Sequence, residues 1–530
     1  MNDNAVALSQ ETTMAEVTSP DSPPFSPSIE VAQLKSLEIS QKLIEQIPSQ
    51  FVQRHRVLPL QSDKGCLWVA SSRELEPRIT DDLSLMTGCE IRVTLAPERE
   101  LTERIAEIYQ ITVEQLFENW DEGDDATQNT GNLHDIEVMA NEPTVVNLVN
   151  VIISTAIRER ASDIHMVPFE DKLELRYRVD GLLQEMPPPP RNLQAAIISR
   201  IKIMADMNIA ERFLPQDGNF QIQHRGTRVD LRVGTMPTVH GESVVMRLLE
   251  KNQKVPTASE LGLDEERVIE LNRLVNKPHG LFLTTGPTGS GKTTTLYSIL
   301  NGVYTPEKKI LTIEDPVEYQ LPGVAQIPVR PSRGFTFATG LRAILRQDPD
   351  TVMVGEIRDS ETAEIAIRAA LTGHQVFSTL HTNDASGAVT RLVDMGVEPF
   401  LISSSLEGVL AQRLLRRLCE KCREVDSEAR EHLLSLGLLD APESKETFHR
   451  GAGCDECRNL GYKGRVGIFE LLSIDAPLRE LIVQRGTSGQ IKAHAAKHMR
   501  SMRQDAILKA VAGMTSLREV IRVASTVEES

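Results

Sequence analysis

The chain has 530 residues, of which 40% are hydrophobic and 25% are charged, a balance that is ordinary for a folded protein with buried cores. A chain of this length exceeds one hydrophobic core, so three or four domains are expected. The formal net charge of −17 argues against a protein whose main task is to grip nucleic acid, because that task needs clustered lysine and arginine. We therefore expect no nucleic acid among the partners.

The hydropathy pattern bears on the location of the protein. The first residues lack a basic stretch followed by an apolar one, so no secretory signal is expected. The longest apolar run, residues 145–157, contains polar residues and is shorter than the roughly 20 residues that cross a bilayer. The sequence predicts a cytoplasmic protein whose membrane attachment is at most peripheral.

The first 142 residues divide into three stretches of different composition. Residues 1–30 are rich in Ser, Thr and Pro and predict a disordered tail. Residues 31–117 combine helix-period segments with two short alternating strands and predict a small N-terminal α/β domain. Residues 118–142 are acidic and polar, which predicts a flexible, solvated linker.

Two larger units follow the linker. Residues 143–253 begin with a long apolar helix pattern and continue with four alternating strands, which predicts a second α/β domain with an antiparallel sheet. Residues 254–530 alternate apolar runs with helical patterns, which is typical of a parallel sheet in a nucleotide-binding domain. The predicted fold class is therefore α/β throughout.

A glycine-rich motif, GPTGSGKT, occupies residues 286–293 between an apolar strand and a helix-forming stretch. Its glycines bring backbone N–H groups close to phosphates, Lys292 can reach the β and γ oxygens, and Thr293 can place its hydroxyl on Mg²⁺. The motif predicts a site for ATP and Mg²⁺. The predicted nucleotide-binding residues are Gly286, Pro287, Thr288, Gly289, Ser290, Gly291, Lys292, Thr293 and Thr294.

A second apolar strand, TVMVGE, ends at Glu356 and predicts a carboxylate beside the phosphates. Activation of water is the natural task of such a group, and a buried structural carboxylate is the alternative. Gly355 and Glu356 stand where an aspartate is common in strands of this kind. Orientation of water, binding of Mg²⁺ through water, or both, therefore stay open at this position.

Four of the six cysteines form two C-x-x-C pairs, Cys419 with Cys422 and Cys454 with Cys457. Two such pairs can supply four thiolates to a closed, structural Zn²⁺ site, although the loop between them is longer than usual. A redox dithiol is the alternative. We predict a zinc module over about residues 415–465.

Three further segments carry a resemblance to a known family. They are ILTIEDPVEYQ at 310–320, LRQDPDTVMVGEIRDSETAEIAIRAALTGH at 345–374 and GHQVFSTLHTNDA at 373–385. With the glycine-rich loop, they resemble the ordered motifs of the secretion ATPases of type II secretion and type IV pilus systems. The resemblance covers roughly residues 35–525 and is closest to the type II secretion ATPases. It implies a RecA-like P-loop ATPase core, preceded by a PAS-like α/β domain and a small N-terminal α/β domain, with a tetracysteine zinc module.

The resemblance also implies roles for residues outside the loop. Glu356 would be the principal catalytic carboxylate, and Glu314 with Asp315 would lie near the γ-phosphate or the metal. His374 and His381 would sense the γ-phosphate, whereas a histidine on an apolar segment is often structural. Two arginines of the preceding domain would contact the nucleotide and stabilise transition-state charge, unless they are ordinary strand-surface residues: Arg232 and Arg247.

For assembly, the resemblance implies a homo-hexamer in which nucleotide binding closes the second domain onto the core and hydrolysis releases it. Residues 51–60, FVQRHRVLPL, resemble the region with which type II secretion ATPases dock onto the cytoplasmic domain of the inner-membrane L component. The inner-membrane platform protein F is a second implied partner. The implied task is to power pseudopilus assembly, and export of folded proteins across the outer membrane, from the cytoplasmic face of the inner membrane.

Several alternatives stay open. The nearest is a type IV pilus extension ATPase; some of these carry a cyclic-dinucleotide-binding domain with arginine- and glycine-rich repeats, which we do not find in the sequence. A small-molecule kinase, a DNA-translocating ATPase and a scaffold that does not hydrolyse nucleotide belong to other classes. The basic segment 413–423 is compatible with acidic phospholipids, an acidic partner or a solvated surface.

Overall fold

The computed structural model describes residues 39, 43, 47, 51–52, 55–63, 65–108, 133–224, 227–250, 254–427 and 447–528. Within these ranges the chain forms four sheets, of three, six, seven and two strands, flanked by helices. The predicted tail over residues 1–30 lies outside the described residues. The predicted α/β fold class is confirmed.

Over residues 57–108 the described part of the N-terminal unit contains a three-stranded sheet and two helices. Its elements are β1 (Val57–Asp63), β2 (Cys66–Ser71), α1 (Pro77–Thr87), β3 (Glu90–Leu95) and α2 (Glu98–Ile108). Strands β1 and β2 are antiparallel, while β3 runs parallel to β2 after the crossover through α1. Pro77 at the first position of α1 and Gly88 in the left-handed conformation after its last residue fix where that helix begins and ends.

The second unit is a six-stranded antiparallel sheet. Its elements are α3 (Leu133–Ala140), α4 (Pro143–Arg158), β4 (Ala161–Pro168), β5 (Leu173–Val179), β6 (Leu182–Met186), α5 (Gln194–Met204), β7 (Gln216–His224), β8 (Thr227–Thr238) and β9 (Gly241–Glu250). The strand order is β6-β5-β4-β9-β8-β7. One face packs on α4 and α5 through apolar residues such as Ile164 and Met166, and the other face carries polar side chains.

Helix α3 corrects one prediction about the linker. The acidic composition of residues 118–142 predicted a flexible segment, but residues 133–140 form a helix whose Ile136 and Ala140 are buried. Apolar residues at this spacing share one helix face, and Met139 packs against the core of the second unit. Residues 118–132 lie outside the described residues.

The third unit is built on a seven-stranded sheet with the order β12-β11-β13-β14-β10-β15-β18. Its strands, as the chain meets them, are β10 (Gly280–Thr285), β11 (Ile310–Glu314), β12 (Val324–Pro328), β13 (Thr351–Val354), β14 (Gln375–Leu380), β15 (Leu406–Leu418) and β18 (Tyr462–Ser473). All neighbours are parallel except β15 with β18. The carboxyl ends of β11, β13, β14 and β10 therefore meet at one edge.

Helices cover this sheet on both faces, as they do in doubly wound α/β proteins. They are α6 (Ala258–Leu261), α7 (Glu265–Val275), α8 (Lys292–Val303), α9 (Phe337–Ile344), α10 (Ser360–Leu371), α11 (Ala385–Asp394), α12 (Pro399–Ser405), α13 (Ala476–Val483), α14 (Ser488–Ala495), α15 (Met502–Val511) and α16 (Leu517–Glu528). A small ribbon of β16 (Arg423–Val425) and β17 (His449–Gly451) precedes β18. In the described part of the chain, no helix is long and apolar enough to span a bilayer.

Candidate nucleotide site and tetracysteine cluster

The glycine-rich loop lies at the carboxyl edge of the seven-stranded sheet, between β10 and α8. Gly286 has a φ of +147°, and a Cβ atom there would lie 2.4 Å from the carbonyl oxygen of Gln412, so this position requires glycine. Gly291 caps α8 in the left-handed conformation, with a φ of +88°. Residues 286–294 thus form one loop and the first helical turn, the arrangement that binds phosphates through backbone N–H groups.

Lys292 is the buried cation of this loop. Its Nζ donates hydrogen bonds to the carbonyl oxygens of Gly286, at 2.8 Å, and Pro287, at 3.1 Å. Burial lowers the pKa of Lys292 to about 8, although the negative charge of Glu356 opposes the change. Phosphate oxygens can replace the two carbonyl contacts and favour the charged ammonium more strongly than neutral acceptors do.

Glu356 lies just beyond β13, where the sequence predicted a carboxylate. Its side chain is 17% exposed, accepts a hydrogen bond from Arg358 and has an oxygen 3.0 Å from Nε2 of His381. Burial favours the protonated form, but the contacts with Arg358 and His381 outweigh it and hold the pKa of Glu356 below its ordinary value. The carboxylate is therefore ionised at neutral pH and can orient a water molecule or accept its proton.

Glu314, the other predicted carboxylate, ends β11 and is 2% exposed. Neutral donors hold it: the hydroxyls of Tyr297 and Thr312, and Nε2 of Gln326 at 3.1 Å. Burial raises the pKa of Glu314, and these hydrogen bonds oppose the rise. The structure therefore brings Glu314 to the same sheet edge as Glu356, but in a buried position against α8.

The two predicted histidines occupy opposite ends of β14. His381 follows the strand and faces Glu356, whereas Nδ1 of His374 lies 3.0 Å from the carbonyl oxygen of Ala369. The N–H of Gly280, at the start of β10, donates to the carbonyl oxygen of His374. The two histidines are seven residues apart across this strand, a distance of about 23 Å at about 3.3 Å per residue. The structure thus brings His381, but not His374, to the edge with the glycine-rich loop, and the predicted γ-phosphate contact of His374 stays a prediction.

Arg232 and Arg247 are direct partners across β8 and β9 on the polar face of the six-stranded sheet. Nη2 of Arg232 lies 3.3 Å from the carbonyl oxygen of Val317 and 3.6 Å from the carboxylate of Glu318, in the segment that follows β11. Nε of Arg247 donates to Asp163 at 3.0 Å, within its own sheet. Both arginines line a cavity of about 490 Å³. The structure thus brings Arg232, rather than Arg247, against the ATPase domain.

Sequence reasoning missed two residues of the site. Nε2 of Gln412, on β15, donates to the carbonyl oxygen of Ser290 at 2.7 Å and so fixes the backbone of the loop. Arg358 bonds Glu356 and lies 3.8 Å from Asp315. The charge of Arg358, two residues after Glu356, was a local signal. No local sequence signal pointed to Gln412, because this residue reaches the loop only through the pairing of β15 with β10.

The four predicted zinc ligands converge, with all four Sγ atoms within 4.8 Å of one another. Three Sγ pairs lie 3.6, 3.7 and 3.8 Å apart. A regular tetrahedron with Zn–S bonds of about 2.3 Å has S–S separations of about 3.8 Å. Burial raises the pKa of the Cys457 thiol, but N–H groups of Cys454 and Gly461 and the neighbouring thiols lower it to about 7. The donor set of Cys419, Cys422, Cys454 and Cys457 therefore fits Zn²⁺.

The basic segment 413–423 has its charges largely satisfied within the chain. Arg413 is 8% exposed and reaches the side chain of Asn383 at 3.3 Å. Further cations of the segment form ion pairs, namely Arg416 with Glu519, Arg417 with Glu420 and Lys421 with Glu456. Paired charges attract an anionic surface less strongly, so this pattern favours a structural interpretation over a lipid-facing one.

Residues 139–522 match the family model of the type II/IV secretion system proteins, and residues 28–115 match the MshEN domain model. The chain belongs to the type II/IV secretion system protein family. Its members named below are secretion ATPases, in agreement with the P-loop and the carboxylates at the sheet edge. The predicted ATPase class, and the resemblance on which it rested, are confirmed.

Relatives of this secretion ATPase include type II secretion system proteins and a type IV pilus assembly ATPase. It is 50% identical to the type II secretion system protein E of Pseudomonas aeruginosa over 389 residues, which are 73% of this chain and 77% of that protein. It is 42% identical to the type II secretion system protein E of Xanthomonas campestris over 91% of this chain and 85% of that protein. It is 41% identical to the type IV pilus assembly ATPase PilB of Myxococcus xanthus over 92% and 88%, respectively.

A solved structure supports the fold. The ATPase DotB of Legionella pneumophila superposes with a TM-score of 0.52 at 22% sequence identity, over 71% of this chain and 95% of that chain. At this identity the likeness concerns the fold alone. The family model itself, matched over residues 139–522, spans the second unit and the seven-stranded unit.

Proposed function

We propose that this secretion ATPase is the ATP-hydrolysing motor of a type II secretion system. The observation that carries the proposal is the convergence of Lys292, Glu356 and His381 at one edge of a parallel sheet, beside a glycine-rich loop. This arrangement joins a phosphate-binding cation to an ionised carboxylate that can activate water. Hydrolysis of a nucleoside triphosphate is the reaction that such a set of groups supports best.

In this proposal, different residues bind the phosphates, hold Mg²⁺ and activate water. The backbone N–H groups of residues 286–291 and the ammonium of Lys292 bind the phosphates, while Thr293 is in the first turn of α8, where its hydroxyl can hold Mg²⁺. A Mg²⁺ ion held there would neutralise the charge that builds up on the phosphate oxygens while the γ-phosphoryl group is transferred to water and ADP leaves. Glu356 orients the attacking water or takes its proton, and His381 holds the carboxylate in place and senses the γ-phosphate.

The second domain contributes arginine contacts in this proposal. Arg232 already lies against Val317 and Glu318, which follow the strand that ends at Glu314. A small rotation of the sheet would turn Arg232 and Arg247 toward a bound nucleotide, and hydrolysis would release them. We propose that chains with this movement work together in a homo-hexamer.

We assign the protein to the cytoplasmic face of the inner membrane, bound to the cytoplasmic domain of the L component and to the platform protein F. Work at this place would power pseudopilus assembly and export of folded proteins across the outer membrane. Support comes from the 50% identity to type II secretion system protein E of Pseudomonas aeruginosa. The second candidate, a type IV pilus extension ATPase, is favoured by the match to PilB over 92% of the chain.

Phosphate release separates these candidates. The full-length protein is assayed with Mg-ATP, alone and with the cytoplasmic domain of the L component plus acidic lipid vesicles, with Glu356→Gln as the inactive control. Turnover that this domain stimulates and that the substitution abolishes would support a type II secretion motor. Turnover that depends on Glu356 without any binding of the L domain would favour the pilus function, and turnover in the Glu356→Gln variant would contradict the catalytic assignment.

A further inference from the structure

Tyr297 is a fully buried tyrosine on α8, the helix that begins at the P-loop lysine. It lies five residues after Lys292, which is about 7.5 Å along the axis at about 1.5 Å per residue. Its side chain is 0% exposed and packs edge-on against the ring of Tyr319, with ring centroids 4.7 Å apart. A buried phenol needs hydrogen-bond partners, so the groups around its hydroxyl indicate what it does.

The Tyr297 hydroxyl connects three separate elements. It donates to the carboxylate of Glu314 at the end of β11, since a carboxylate can only accept. It accepts from the backbone N–H of Glu318 at 3.3 Å and from Nε2 of Gln326 at 3.2 Å. Burial raises the pKa of Tyr297, with the charge of Glu314 adding to the effect, so the phenol keeps its proton.

Gln326 holds the same carboxylate from another strand. It lies on β12, directly opposite Thr312 of β11, so its side chain shares a sheet face with Glu314. Its Nε2 is 3.1 Å from the carboxylate, and its Oε1 accepts the N–H of Leu321 at 2.7 Å, which fixes the amide orientation. Two side chains from other elements, together with Thr312 of its own strand, therefore determine where the carboxylate of Glu314 points.

This arrangement distinguishes Glu314 from Glu356. The contacts of Glu356 come from Arg358 and His381 in a partly exposed cleft, whereas Glu314 is tied to the body of the helix whose first residue is Lys292. Any shift of α8 relative to β11 must stretch the hydrogen bond from Tyr297. The bond therefore sets the distance between the phosphate-binding turn and this carboxylate.

We propose that Tyr297 is a positioning residue of the ATPase site, which fixes the carboxylate of Glu314 against the P-loop helix with the help of Gln326. The proposal rests on the proposed ATPase function and adds the group that orients its buried carboxylate. Loss of the hydroxyl frees the carboxylate to rotate, which lowers the fraction of bound ATP in a reactive geometry. Binding of the phosphates by the loop is unaffected.

The test is Tyr297→Phe in the full-length protein, assayed by phosphate release over a range of Mg-ATP concentrations. We expect kcat to fall about tenfold while KM stays within about twofold, because misorientation acts on the chemical step alone. The control is Tyr319→Phe, which removes the hydroxyl of a neighbouring, half-buried tyrosine that has no hydrogen bond to Glu314 among the described residues. This control should keep kcat within about twofold of wild type.

A second variant guards against a folding defect. Gln326→Leu introduces an apolar side chain of similar size, removes a second of the three donors to Glu314, and should lower kcat about threefold at unchanged KM. If Tyr297→Phe melts too early to be assayed, Gln326→Leu decides the question in the same way.

Three results would overturn the positioning role. They are a Tyr297→Phe enzyme as fast as wild type, a KM that rises in step with the fall in kcat, and a Tyr319→Phe enzyme that loses as much activity. Failure of the ATPase function itself looks different, because wild type would then release no phosphate, or Glu356→Gln would release as much as wild type. If wild type is active, Glu356→Gln is inactive and Tyr297→Phe is fully active, the positioning role of Tyr297 is wrong and the ATPase function is not.

Discussion

The nucleotide edge of the seven-stranded sheet and the tetracysteine cluster arrange their polar groups in opposite ways. At the edge, Lys292 rests on carbonyl oxygens of its own loop, and Glu356 lies in a partly exposed cleft with His381. A substrate can replace these partners. In the cluster, four sulfur atoms face one another within 4.8 Å and leave no open position among the described residues. Open ligand sets serve catalysis and closed ones serve structure, so the two regions should fail differently when they are damaged.

Damage to the cluster should have the largest effect, on metal content and stability. Cys457→Ser, or prolonged chelation, should remove bound zinc completely and lower the melting temperature by about 5 °C or more, because the metal stabilises the folded module. Affinity for a fluorescent ADP analogue should stay within about twofold of wild type, since the P-loop is not part of the cysteine cluster. Metal analysis, thermal unfolding and nucleotide titration check the three outcomes.

The matched control is Cys66→Ser. Cys66 is a free cysteine outside the cluster, so this variant protein should retain all its zinc. A wild-type protein that purifies without zinc, and that gains stability on oxidation, would support a redox dithiol instead.

The two histidines should differ in their effect on turnover, because only His381 lies at the nucleotide edge. His381→Ala should lower kcat about tenfold, because Glu356 loses the partner that lies 3.0 Å from it. His374→Ala should leave kcat within about twofold, since β14 separates that residue from the loop. Phosphate release by both variants, measured side by side, gives the answer. Equal losses would mean that the distance along β14 does not matter, for instance because His374 serves a neighbouring subunit.

A smaller effect should follow from the pKa of Lys292. In the free protein burial lowers this pKa to about 8, and bound phosphates should raise it again. Below pH 8 the ammonium is charged both before and after binding, so affinity should be flat. Above that pH the protein must take up a proton in order to bind, and affinity should fall by up to about tenfold per pH unit.

Titration of a fluorescent ADP analogue between about pH 7 and pH 9.5 measures this dependence. Lys292→Arg is the control, because a guanidinium stays charged over the whole range and should remove the slope. A wild-type affinity that is constant up to pH 9.5 would mean that Lys292 remains charged in the free protein.

The sequence predicted the parts of the site whose chemistry is local in the chain. The glycine-rich loop, Glu356 and the paired cysteines were recognised because the spacing within each motif determines what the residues can bind. His374 shares a motif with His381, but the extended strand between them carries one histidine to each end. Sequence proximity is a poor guide to spatial proximity along a strand.

Other features depend on contacts between distant segments. Gln412 meets the loop only after β15 has paired with β10, and Tyr297 meets Gln326 only after β12 has joined β11. Helix α3 was hidden by its acidic surroundings, although its apolar spacing packs on the second unit. These features arise from tertiary packing, which residue patterns in one segment do not contain.

Glu356→Gln tests the catalytic role of Glu356 when binding and hydrolysis of Mg-ATP are measured on the same preparation. The side chain keeps its shape and loses its charge, so the loop and Lys292 should still bind nucleotide. We predict an affinity within about threefold of wild type together with phosphate release at least about a hundredfold slower. Hydrolysis by the variant at a rate close to wild type would contradict the assignment of Glu356 as the catalytic carboxylate.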